Sequence, residues 1–354
     1  MSNNIADIDK NLKVETTTIR EGIVFKNVLE EPFSIHGITY DGERFRRLPH
    51  TVAENTSSAV RSLATNTAGG RVRFVTDSPY VAIKAKMFTK TFFPHMTLAG
   101  VAGFDMYVRE NGTDIIAKTF LPPNTIKDGY ESVHDFSGER RERLITINFP
   151  LYNSVSELYV GLQQGSVLKK APDYTYTKPI VYYGSSITQG GCASRPGMCY
   201  PAIISRKYDI DYINLGFSGS GKAESTMAEY VAGLEMSAFI FDYDHNAPSN
   251  DYYANTHEPF FKTVRAANPE LPIVIMTRPK HKNLLQSFEL GRIEIAERTY
   301  KNAIAEGDKN VYFIPGFELM ELAGEEGCVD LCHPTDLGFF SMAKRLSKEL
   351  DKIF

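Results

Sequence analysis

The second half of the chain alternates between short apolar runs and longer amphipathic segments five times, at a spacing of about 30 residues, the length of a βαβ unit. The apolar runs are PIVYYG, YINLG, AFIFD, PIVIM and VYFIP, and helix-like segments such as YPAIISRKY and SFELGRIEIAERTYKNAIAEG lie between them. Strands that alternate with helices in this way form a parallel sheet with helices on both faces. We therefore expect an α/β fold with a three-layer αβα arrangement over residues 178–354.

The first half has a different pattern, in which polar and apolar residues alternate with a period of two. The pattern holds for Arg71–Thr76, Val81–Met87, Gly103–Glu110, Arg143–Phe149 and Glu157–Leu162. Short segments of this kind, separated by turn-forming residues, are typical of an antiparallel sandwich or jelly roll. We predict an all-β domain over residues 1–170, with a boundary in Lys169–Pro179, where prolines interrupt both patterns. The segment 55–70 is too polar to assign.

Charge and hydropathy exclude several classes of partner. The chain has 39 basic and 43 acidic residues, a formal net charge of −4, so we expect no nucleic-acid partner, which requires a clustered basic face. It contains no apolar run of about 18 residues, so we expect no membrane-spanning helix and no membrane partner. The polar start, MSNNIADIDKNLKVETT, lacks the features of a signal peptide, which predicts a cytoplasmic location.

The four cysteines, Cys192, Cys199, Cys328 and Cys332, do not follow a common metal-binding pattern. Their spacings of seven and four residues match no familiar zinc motif, and no paired histidines accompany them. We therefore expect reduced thiols, no bound metal and no cofactor. A disulfide between the loop of the first pair and the loop of the second is left open.

Polar residues follow the ends of the predicted parallel strands, where the active sites of open parallel sheets lie. Ser185 and Ser186 follow the first strand, Gly219 the second, Asp242, Asp244, His245 and Asn246 the third, and Asp330 and His333 precede the last helix. The types present are those that acyl transfer requires. A serine hydroxyl needs a base to remove its proton, histidine titrates near neutral pH, and a carboxylate orients the imidazole.

The same edge offers donors for a developing oxyanion. The backbone N–H groups of Ser186 and Gly219 and the side-chain amide of Asn246 form a candidate set of three. One such donor contributes roughly 3 kcal/mol to transition-state stabilisation. We expect the glycine at position 219 to let the backbone approach the substrate without a Cβ atom in the way.

These four segments resemble the conserved blocks of the SGNH (GDSL-type) hydrolases. YYGSSITQGG resembles the nucleophile block, NLGFSGS the glycine block, DYDHNAP the asparagine block and VDLCHP the Asp-x-x-His block, in the family's order. The resemblance implies Ser186 as nucleophile, His333 as base and Asp330 as its orienting carboxylate, with Gly219 and Asn246 in the oxyanion hole. The family's best-known first block reads Gly-Asp-Ser, whereas this chain has Ser185 before Ser186, so the attacking serine is chosen by register.

The first half carries a second resemblance. GFDMYVRENG is similar to the Gly-x-Asp-Leu-Tyr signature of a β-sandwich that precedes a subgroup of these hydrolases, with Met106 where leucine is usual. Together the two resemblances imply a two-domain carbohydrate esterase. Asp105, which lies within a predicted strand, is expected to form a buried hydrogen bond or salt bridge.

Six further residues are candidates for substrate contact: Arg195, Asp244, His245, Arg278, Phe92 and His95. Arg195 either lines the pocket or shapes the loop that leaves the nucleophile. His245 is an alternative base, although His333 has the better-spaced acid. Phe92 and His95 belong to KTFFPHMT, Lys90–Thr97, which either reaches the active site or packs in the core.

The expected function is that of a serine esterase acting through an acyl-enzyme. The resemblance favours the removal of short acyl groups, above all acetyl, from oligosaccharides such as those of xylan or mannan, with an acetylated oligosaccharide or another small ester as the partner. An acyltransferase that uses the same triad is one alternative. A non-catalytic carbohydrate-binding protein is another, and the intact set of Ser186, Asp330 and His333 argues against it. The sequence leaves open whether the chain forms a homo-oligomer.

Overall fold

The computed structural model describes residues 9, 14, 18–87 and 92–354. Most of the polar start, and Lys90 and Thr91 of the predicted Lys90–Thr97 loop, lie outside the described residues. The first half contains strands β1 (Ile23–Asn27), β2 (Ser34–His36), β3 (Thr39–Tyr40), β4 (Phe45–Arg46), β5 (Arg71–Thr76), β6 (Tyr80–Met87), β7 (Phe104–Glu110), β8 (Thr113–Phe120), β9 (Gly129–Asp135), β10 (Arg143–Asn148), β11 (Val155–Gln163) and β12 (Leu168–Lys170).

These strands form two antiparallel sheets and a small ribbon. One sheet has the order β1-β11-β6-β9 and the other β12-β5-β10-β7-β8, with β2 also paired to β5, while β3 pairs with β4. A two-residue turn joins β7 to β8, in which Asn111 and Gly112 take φ angles of 50° and 80°. Two positive φ angles are typical of a type I′ hairpin, for which Asn-Gly is the preferred sequence.

The second half contains the parallel sheet that the alternating pattern predicts. Its strands are β13 (Tyr176–Gly184), β14 (Ile210–Gly216), β15 (Ala238–Asp242), β16 (Ile273–Met276) and β17 (Val311–Ile314), in the order β14-β13-β15-β16-β17 with every neighbouring pair parallel. The α-helices of the described residues are α1 (His50–Thr56), α2 (Ser58–Leu63), α3 (Leu98–Ala102), α4 (Ser186–Gln189), α5 (Tyr200–Tyr208), α6 (Ser225–Ala232), α7 (Asn250–Ala267), α8 (Ser287–Ala305), α9 (Gly316–Leu319) and α10 (Asp336–Leu350). The predicted fold class is confirmed. No helix among the described residues combines the length and apolar character needed to cross a lipid bilayer.

Both faces of the parallel sheet are covered, which explains its unbroken apolar strands. Along β13, Ile180 and Tyr182 pack into one hydrophobic cluster, and Val181 and Tyr183 pack into another on the opposite face. All four side chains are fully buried. The sheet therefore holds its carboxyl edge rigidly at the point where the candidate residues emerge.

Two helices of the first half complete one of these layers. Ala53 of α1 and Val60 of α2 belong to the cluster that covers Val181 and Tyr183. Val60 lies in the segment 55–70, which the sequence pattern does not assign, and α1 overlaps the start of this segment. The hydroxyl of Ser57 caps α2 by accepting a hydrogen bond from the N–H of Val60 at 3.2 Å.

The other hydrophobic cluster crosses from the sandwich into the α/β half. It joins Leu151 and Tyr152, which follow β10, to Ile187 of α4 and Tyr200 of α5. A shared core of this kind gives the two halves one continuous interior. The predicted boundary in Lys169–Pro179, and the division into residues 1–170 and 178–354, stay predictions.

A buried carboxylate in β7 links the two halves. Asp105 has no exposed surface and accepts hydrogen bonds from Nδ2 of Asn148 at 2.7 Å, Nη1 of Arg195 at 2.8 Å and the N–H of Gly197 at 2.8 Å. Arg195 also donates to the hydroxyl of Tyr107 at 2.5 Å. The aspartate and tyrosine of the GFDMY motif thus bind the loop that follows α4.

Replacing Asp105 with alanine is expected to lower the free energy of unfolding by about 3–5 kcal/mol, because a partly buried guanidinium and a buried N–H then lose their acceptor. Urea unfolding followed by circular dichroism measures the change. Asp351→Ala is the matched control, since this exposed carboxylate accepts from Lys207 and Tyr208 at the surface and its loss should cost less than about 1 kcal/mol. Equal losses for the two variants would contradict the structural role of Asp105.

Candidate active site

The carboxyl ends of three parallel strands align at one edge of the sheet. Gly184 of β13 lies beside Gly216 of β14 and Asp242 of β15 in the strand register. The segments that carry Ser186, Gly219 and Asn246 begin directly after these positions. The chain therefore brings the predicted residues to a common edge although they are far apart in sequence.

The two serines after β13 have different environments. The hydroxyl of Ser185 is the N-cap of α4 and accepts a hydrogen bond from the N–H of Ile187 at 3.2 Å. Ser186 is the first residue of α4, and its Oγ lies 2.9 Å from Nε2 of His333. The geometry therefore separates the roles that the sequence leaves to register, because only Ser186 contacts the imidazole.

Ser186, His333 and Asp330 are hydrogen-bonded in series. Nδ1 of His333 lies 2.8 Å from Oδ2 of Asp330, and Oδ1 of Asp330 accepts the N–H of His333 at 2.7 Å and that of Cys332 at 3.1 Å. A carboxylate can only accept, so Nδ1 of the neutral ring carries the proton and Nε2 accepts from the Ser186 hydroxyl. This is the arrangement needed to remove a proton from the serine.

The electrostatics of the pair favour a charged imidazole beside a charged carboxylate. The pKa of His333 is raised to about 9, mainly by its contact with the Cys332 thiol and further by Asp330, against the opposing effect of burial. Burial would raise the pKa of Asp330, but the hydrogen bonds from the backbone and ring of His333 outweigh it and lower the pKa. Asp330 therefore remains ionised and stabilises the imidazolium that forms during proton transfer.

The residues of the predicted oxyanion donors follow the carboxyl ends of β13, β14 and β15, and their role stays a prediction. Gly219 has a φ angle of +66° and is exposed, and a methyl group built on it would meet no atom within 4 Å. The left-handed backbone conformation favours glycine at this position, and the open space beside it is compatible with the predicted close approach of a substrate, which stays a prediction. Nδ2 of Asn246 donates one hydrogen to the carbonyl of Phe217 at 3.0 Å, and the amide carries a second hydrogen.

Tyr152 contacts the nucleophile and is missed by the sequence analysis. Its hydroxyl donates to the backbone carbonyl of Ser186 at 3.2 Å, and the N–H groups of Gly190 and Gly191 donate to the same oxygen at 3.0 and 2.7 Å. The three donors fix the backbone of the serine. Tyr152 lies in a turn-like stretch 34 residues before Ser186, and nothing in its local sequence indicates this contact.

The first half of the chain reaches the site through the loop before α3. The ring of His95 lies with its centroid 5.5 Å from that of His333, and Phe92 in the same loop is 53% exposed. The hydroxyl of Thr97 donates to the carbonyl of Ser194 at 2.6 Å, which holds this loop against the one that follows α4. The sequence analysis leaves open whether this segment reaches the active site or packs in the core. The ring of His95 lies at the active site.

The other candidate substrate residues have protein partners. Arg278 donates from Nη2 to Nδ1 of His245 at 2.7 Å and from its backbone N–H to Oδ2 of Asp244 at 2.9 Å, and it also pairs with Glu289. Asp244 is 2% exposed. These contacts are those of a structural network beside the site. Arg195 binds Asp105. This contact is the one expected if Arg195 shapes the loop that follows the nucleophile.

His245 is a poor candidate for the base. Burial, and then the neighbouring Arg278 cation, hold the pKa of His245 well below its usual value, so the ring stays neutral. Its Nδ1 contacts Arg278 and lies 3.7 Å from Sγ of Cys332. In the described residues, the imidazole that is hydrogen-bonded to Oγ of Ser186 is that of His333.

The thiols of Cys192, Cys328 and Cys332 lie near the Asp330–His333 segment. All four cysteines are free, so the structure contains none of the disulfides that the sequence leaves open. In the described part of the chain, two groups of potential metal-ligating side chains share His333: one with His95 and Cys192, the other with Asp330 and Cys332. The spacing of the cysteines gives no signal for either group, because each forms only when the loops fold together.

Comparison with known families accounts for both halves of the chain. The GDSL-like lipase/acylhydrolase family matches residues 177–351, and the GxDLY family, described as the N-terminus of SGNH-hydrolase-type esterases, matches residues 23–168. Comparison with the curated proteins gives no match.

Several solved structures are similar over nearly the whole chain. A GDSL-like lipase from Bacteroides ovatus has 31% identity and a TM-score of 0.85, covering 94% of this chain and 98% of that one. The salicylyl-acyltransferase SsfX3 from a tetracycline biosynthetic pathway has 19% identity and a TM-score of 0.76, with coverage of 94% and 98%. The acetyl xylan esterase Est2A from the rumen bacterium Butyrivibrio proteoclasticus has 14% identity and a TM-score of 0.59, with coverage of 93% and 98%.

The last two likenesses are of fold alone, whereas the first is close enough in sequence to define the family. The two family matches agree with it and with the order of the four blocks. The chain is therefore a carboxylic ester hydrolase that belongs to the GDSL-like lipase/acylhydrolase family and carries a GxDLY-type N-terminal region.

Proposed function

We propose that this enzyme removes short acyl groups, above all acetyl, from carbohydrates such as xylo- and manno-oligosaccharides. The observation that carries the proposal is the unbroken chain of hydrogen bonds from Oγ of Ser186 through the ring of His333 to Asp330. Such a series is suited to acyl transfer through a covalent serine ester.

In the proposed acylation step, Oγ of Ser186 attacks the ester carbonyl carbon while Nε2 of His333 takes its proton. The backbone N–H groups of Ser186 and Gly219 and the second amide hydrogen of Asn246 stabilise the resulting oxyanion. When the carbon–oxygen bond of the substrate breaks, the imidazolium donates this proton to the departing sugar oxygen, which leaves as a hydroxyl group. The acyl group then remains on Ser186.

Deacylation repeats the sequence with water. His333 removes a proton from a water molecule that attacks the acyl-enzyme, and the imidazolium then protonates Oγ of Ser186 as the carboxylic acid leaves. Asp330 stabilises the imidazolium in both steps. No additional group is needed for the proton balance.

Two features support a small acyl group carried by a sugar. Ser186 is only 7% exposed, so a compact acyl group can approach it more easily than a branched or aromatic one. The exposed Phe92 offers an aromatic face on which an apolar face of a sugar ring can pack, and His95 beside His333 offers a polar contact. One of the similar folds is that of an acetyl xylan esterase.

Mass spectrometry of acylated oligosaccharides tests the proposal. Acetylated xylo- and manno-oligosaccharides are incubated with the enzyme, alongside the same sugars carrying octanoyl groups, each with and without an added acceptor alcohol. We expect loss of acetyl groups as free acetate, with kcat/KM at least about tenfold lower for octanoyl, the scale on which pocket fit discriminates. A predominant acyl ester of the acceptor alcohol would instead indicate an acyltransferase, and equal rates for both acyl lengths would overturn the preference for acetyl.

The activity is expected to depend on an unusually basic imidazole. Because His333 must be neutral to accept the serine proton, and its pKa is raised to about 9, kcat/KM should rise about tenfold per pH unit below that value and level off above it. An unperturbed imidazole would place this limb near pH 6.5. Initial rates on an acetyl ester at several pH values, corrected for spontaneous hydrolysis, measure the profile.

The Cys332 thiol provides the control for this profile, because its contact is the largest cause of the raised pKa. Cys332→Ala should move the limb to lower pH, whereas Cys199→Ala, which removes a buried thiol bonded to the carbonyl of Pro196, should leave it in place. A wild-type limb near pH 6.5, or no movement in Cys332→Ala, would contradict the assignment.

A further inference from the structure

Three side chains that ligate transition metals converge beside the nucleophile from separate parts of the chain. His95 comes from the loop before α3, Cys192 from the loop after α4 and His333 from the segment before α10. One ligand atom of each lies within 4.8 Å of the corresponding atoms of the other two. Cys192 is 7% exposed and takes a φ angle of 72°, so its thiol is held within the fold.

The donor set matches the chemistry of zinc. Zn²⁺ binds thiolate at about 2.3 Å and imidazole nitrogen at about 2.0–2.1 Å, in a tetrahedral geometry that brings the donors to roughly 3.5 Å from one another. Separations within 4.8 Å therefore need to shorten by at most roughly 1.3 Å. His95 is exposed, so a change of its side-chain rotamer can supply that movement without displacing a core element.

We propose that His95, Cys192 and His333 form a binding site for zinc or a similar thiophilic divalent cation, and that occupancy of this site inhibits the enzyme. Binding releases to solvent the thiol proton of Cys192 and, where His333 is protonated, one proton of its imidazolium, and places a thiolate and two imidazoles on the metal. Inhibition follows from the triad of the proposed function. One nitrogen of His333 is bonded to Ser186 and the other to Asp330, so a metal on either nitrogen breaks the series.

The second group, Asp330, Cys332 and His333, is a weaker competitor for the same histidine. The oxygens of Asp330 already accept hydrogen bonds from the N–H of Cys332 and from the N–H and ring of His333. A metal on this carboxylate would displace these donors. In the part of the chain that the structure describes, a metal on the first group displaces no such hydrogen bonds at Cys192 or His95. This group also joins the two halves of the chain.

Cobalt serves as a spectroscopic probe of the site. Titration of the full-length enzyme with Co²⁺, without substrate, should produce an absorption band of cobalt–thiolate charge transfer together with the visible bands of a tetrahedral ion, and Zn²⁺ should remove both by competition. Cys192→Ser should lose the charge-transfer band, whereas Cys199→Ser and Cys332→Ser should keep it. This measurement does not depend on catalysis, so it stands even if the proposed function fails.

Inhibition by Zn²⁺ provides the functional test. Zinc should inhibit hydrolysis of an acetyl ester, and a chelator should restore the rate. Cys192→Ser and the exposed His95→Gln should each raise the zinc concentration for half inhibition, measured relative to their own uninhibited rates, by more than about tenfold, since even outer-shell partners contribute about 10–100-fold to affinity. Unchanged inhibition in both variants, or loss of the cobalt band in Cys332→Ser but not in Cys192→Ser, would overturn the proposal.

Discussion

Replacing Ser186 with alanine is expected to lower kcat for ester hydrolysis by about 10⁶-fold, the loss seen when a triad nucleophile is removed from a serine hydrolase. The change removes the oxygen that lies 2.9 Å from Nε2 of His333 and leaves the rest of the site in place. The backbone carbonyl of residue 186 still accepts its three hydrogen bonds, so the fold of α4 should be retained. Hydrolysis of a chromogenic acetyl ester at high enzyme concentration measures the residual rate.

Ser185→Ala is the matched control for this experiment. It removes the neighbouring hydroxyl, which caps α4, and should lower stability by about 0.5–2 kcal/mol. Because Ser185 has no contact with the imidazole in the hydrogen-bond network of the described residues, turnover should remain within about tenfold of the wild type, a shift of no more than about 1.4 kcal/mol in the barrier. Loss of turnover in Ser185→Ala with retention in Ser186→Ala would reverse the assignment of the two serines.

Replacing Asp330 with asparagine is expected to lower kcat by about 10⁴-fold, the effect of the equivalent change in a related type of triad. The carboxylate accepts the proton of Nδ1 of His333 at 2.8 Å. An asparagine amide can donate to Nδ1 instead, which favours the tautomer with the proton on Nε2. That tautomer has no lone pair to accept the proton of Ser186.

The pH dependence of the same variant separates this effect from a change of fold. Loss of the Asp330 charge removes one of the contributions that raise the pKa of His333, so any remaining activity should show its limb at lower pH than the wild type. Asp336→Asn, which keeps an acceptor for the N–H of Ser194, should change kcat far less. Asp330→Asn with activity within tenfold of the wild type would show that His333 needs no carboxylate partner.

The periodic segments of the chain are predictable from sequence, because their patterns reflect burial on one or both faces. The alternating run Arg71–Thr76 forms β5 with the same bounds, and Tyr200–Tyr208 forms α5. The boundaries of other elements are less accurate. The apolar run PIVYYG, residues 179–184, covers only part of β13, which begins at Tyr176 because this residue already pairs with Ile210 of β14.

The short helices α1 and α2 show what a local pattern does not contain. Their sequences, HTVAENT and SAVRSL, offer few apolar residues, and they are stabilised by packing on a sheet more than 100 positions away in sequence. Helices of this length are marginal without tertiary contacts. Their assignment therefore depends on the parallel sheet that they cover.

The residues of the candidate site also fall into two groups, those that the sequence predicts and those that it does not. Residue types at strand ends predict Ser186, His333 and Asp330, because the topology of a parallel sheet brings such positions together. The same reasoning does not reveal Tyr152 on the carbonyl of Ser186, or the effect of Cys332 on His333, because these depend on how turns without periodic pattern fold back on the sheet.

The placement of α1 and α2 against the parallel sheet has a consequence for how this protein can be dissected. A fragment beginning near residue 178 would lose Ala53 and Val60 from the cluster that contains Val181 and Tyr183, and would expose to solvent the apolar side chains that pack against these two residues. Such fragments tend to precipitate. Expression of the catalytic half alone, or its fusion to the β-sandwich of another protein, should therefore fail unless the segment containing both helices is included.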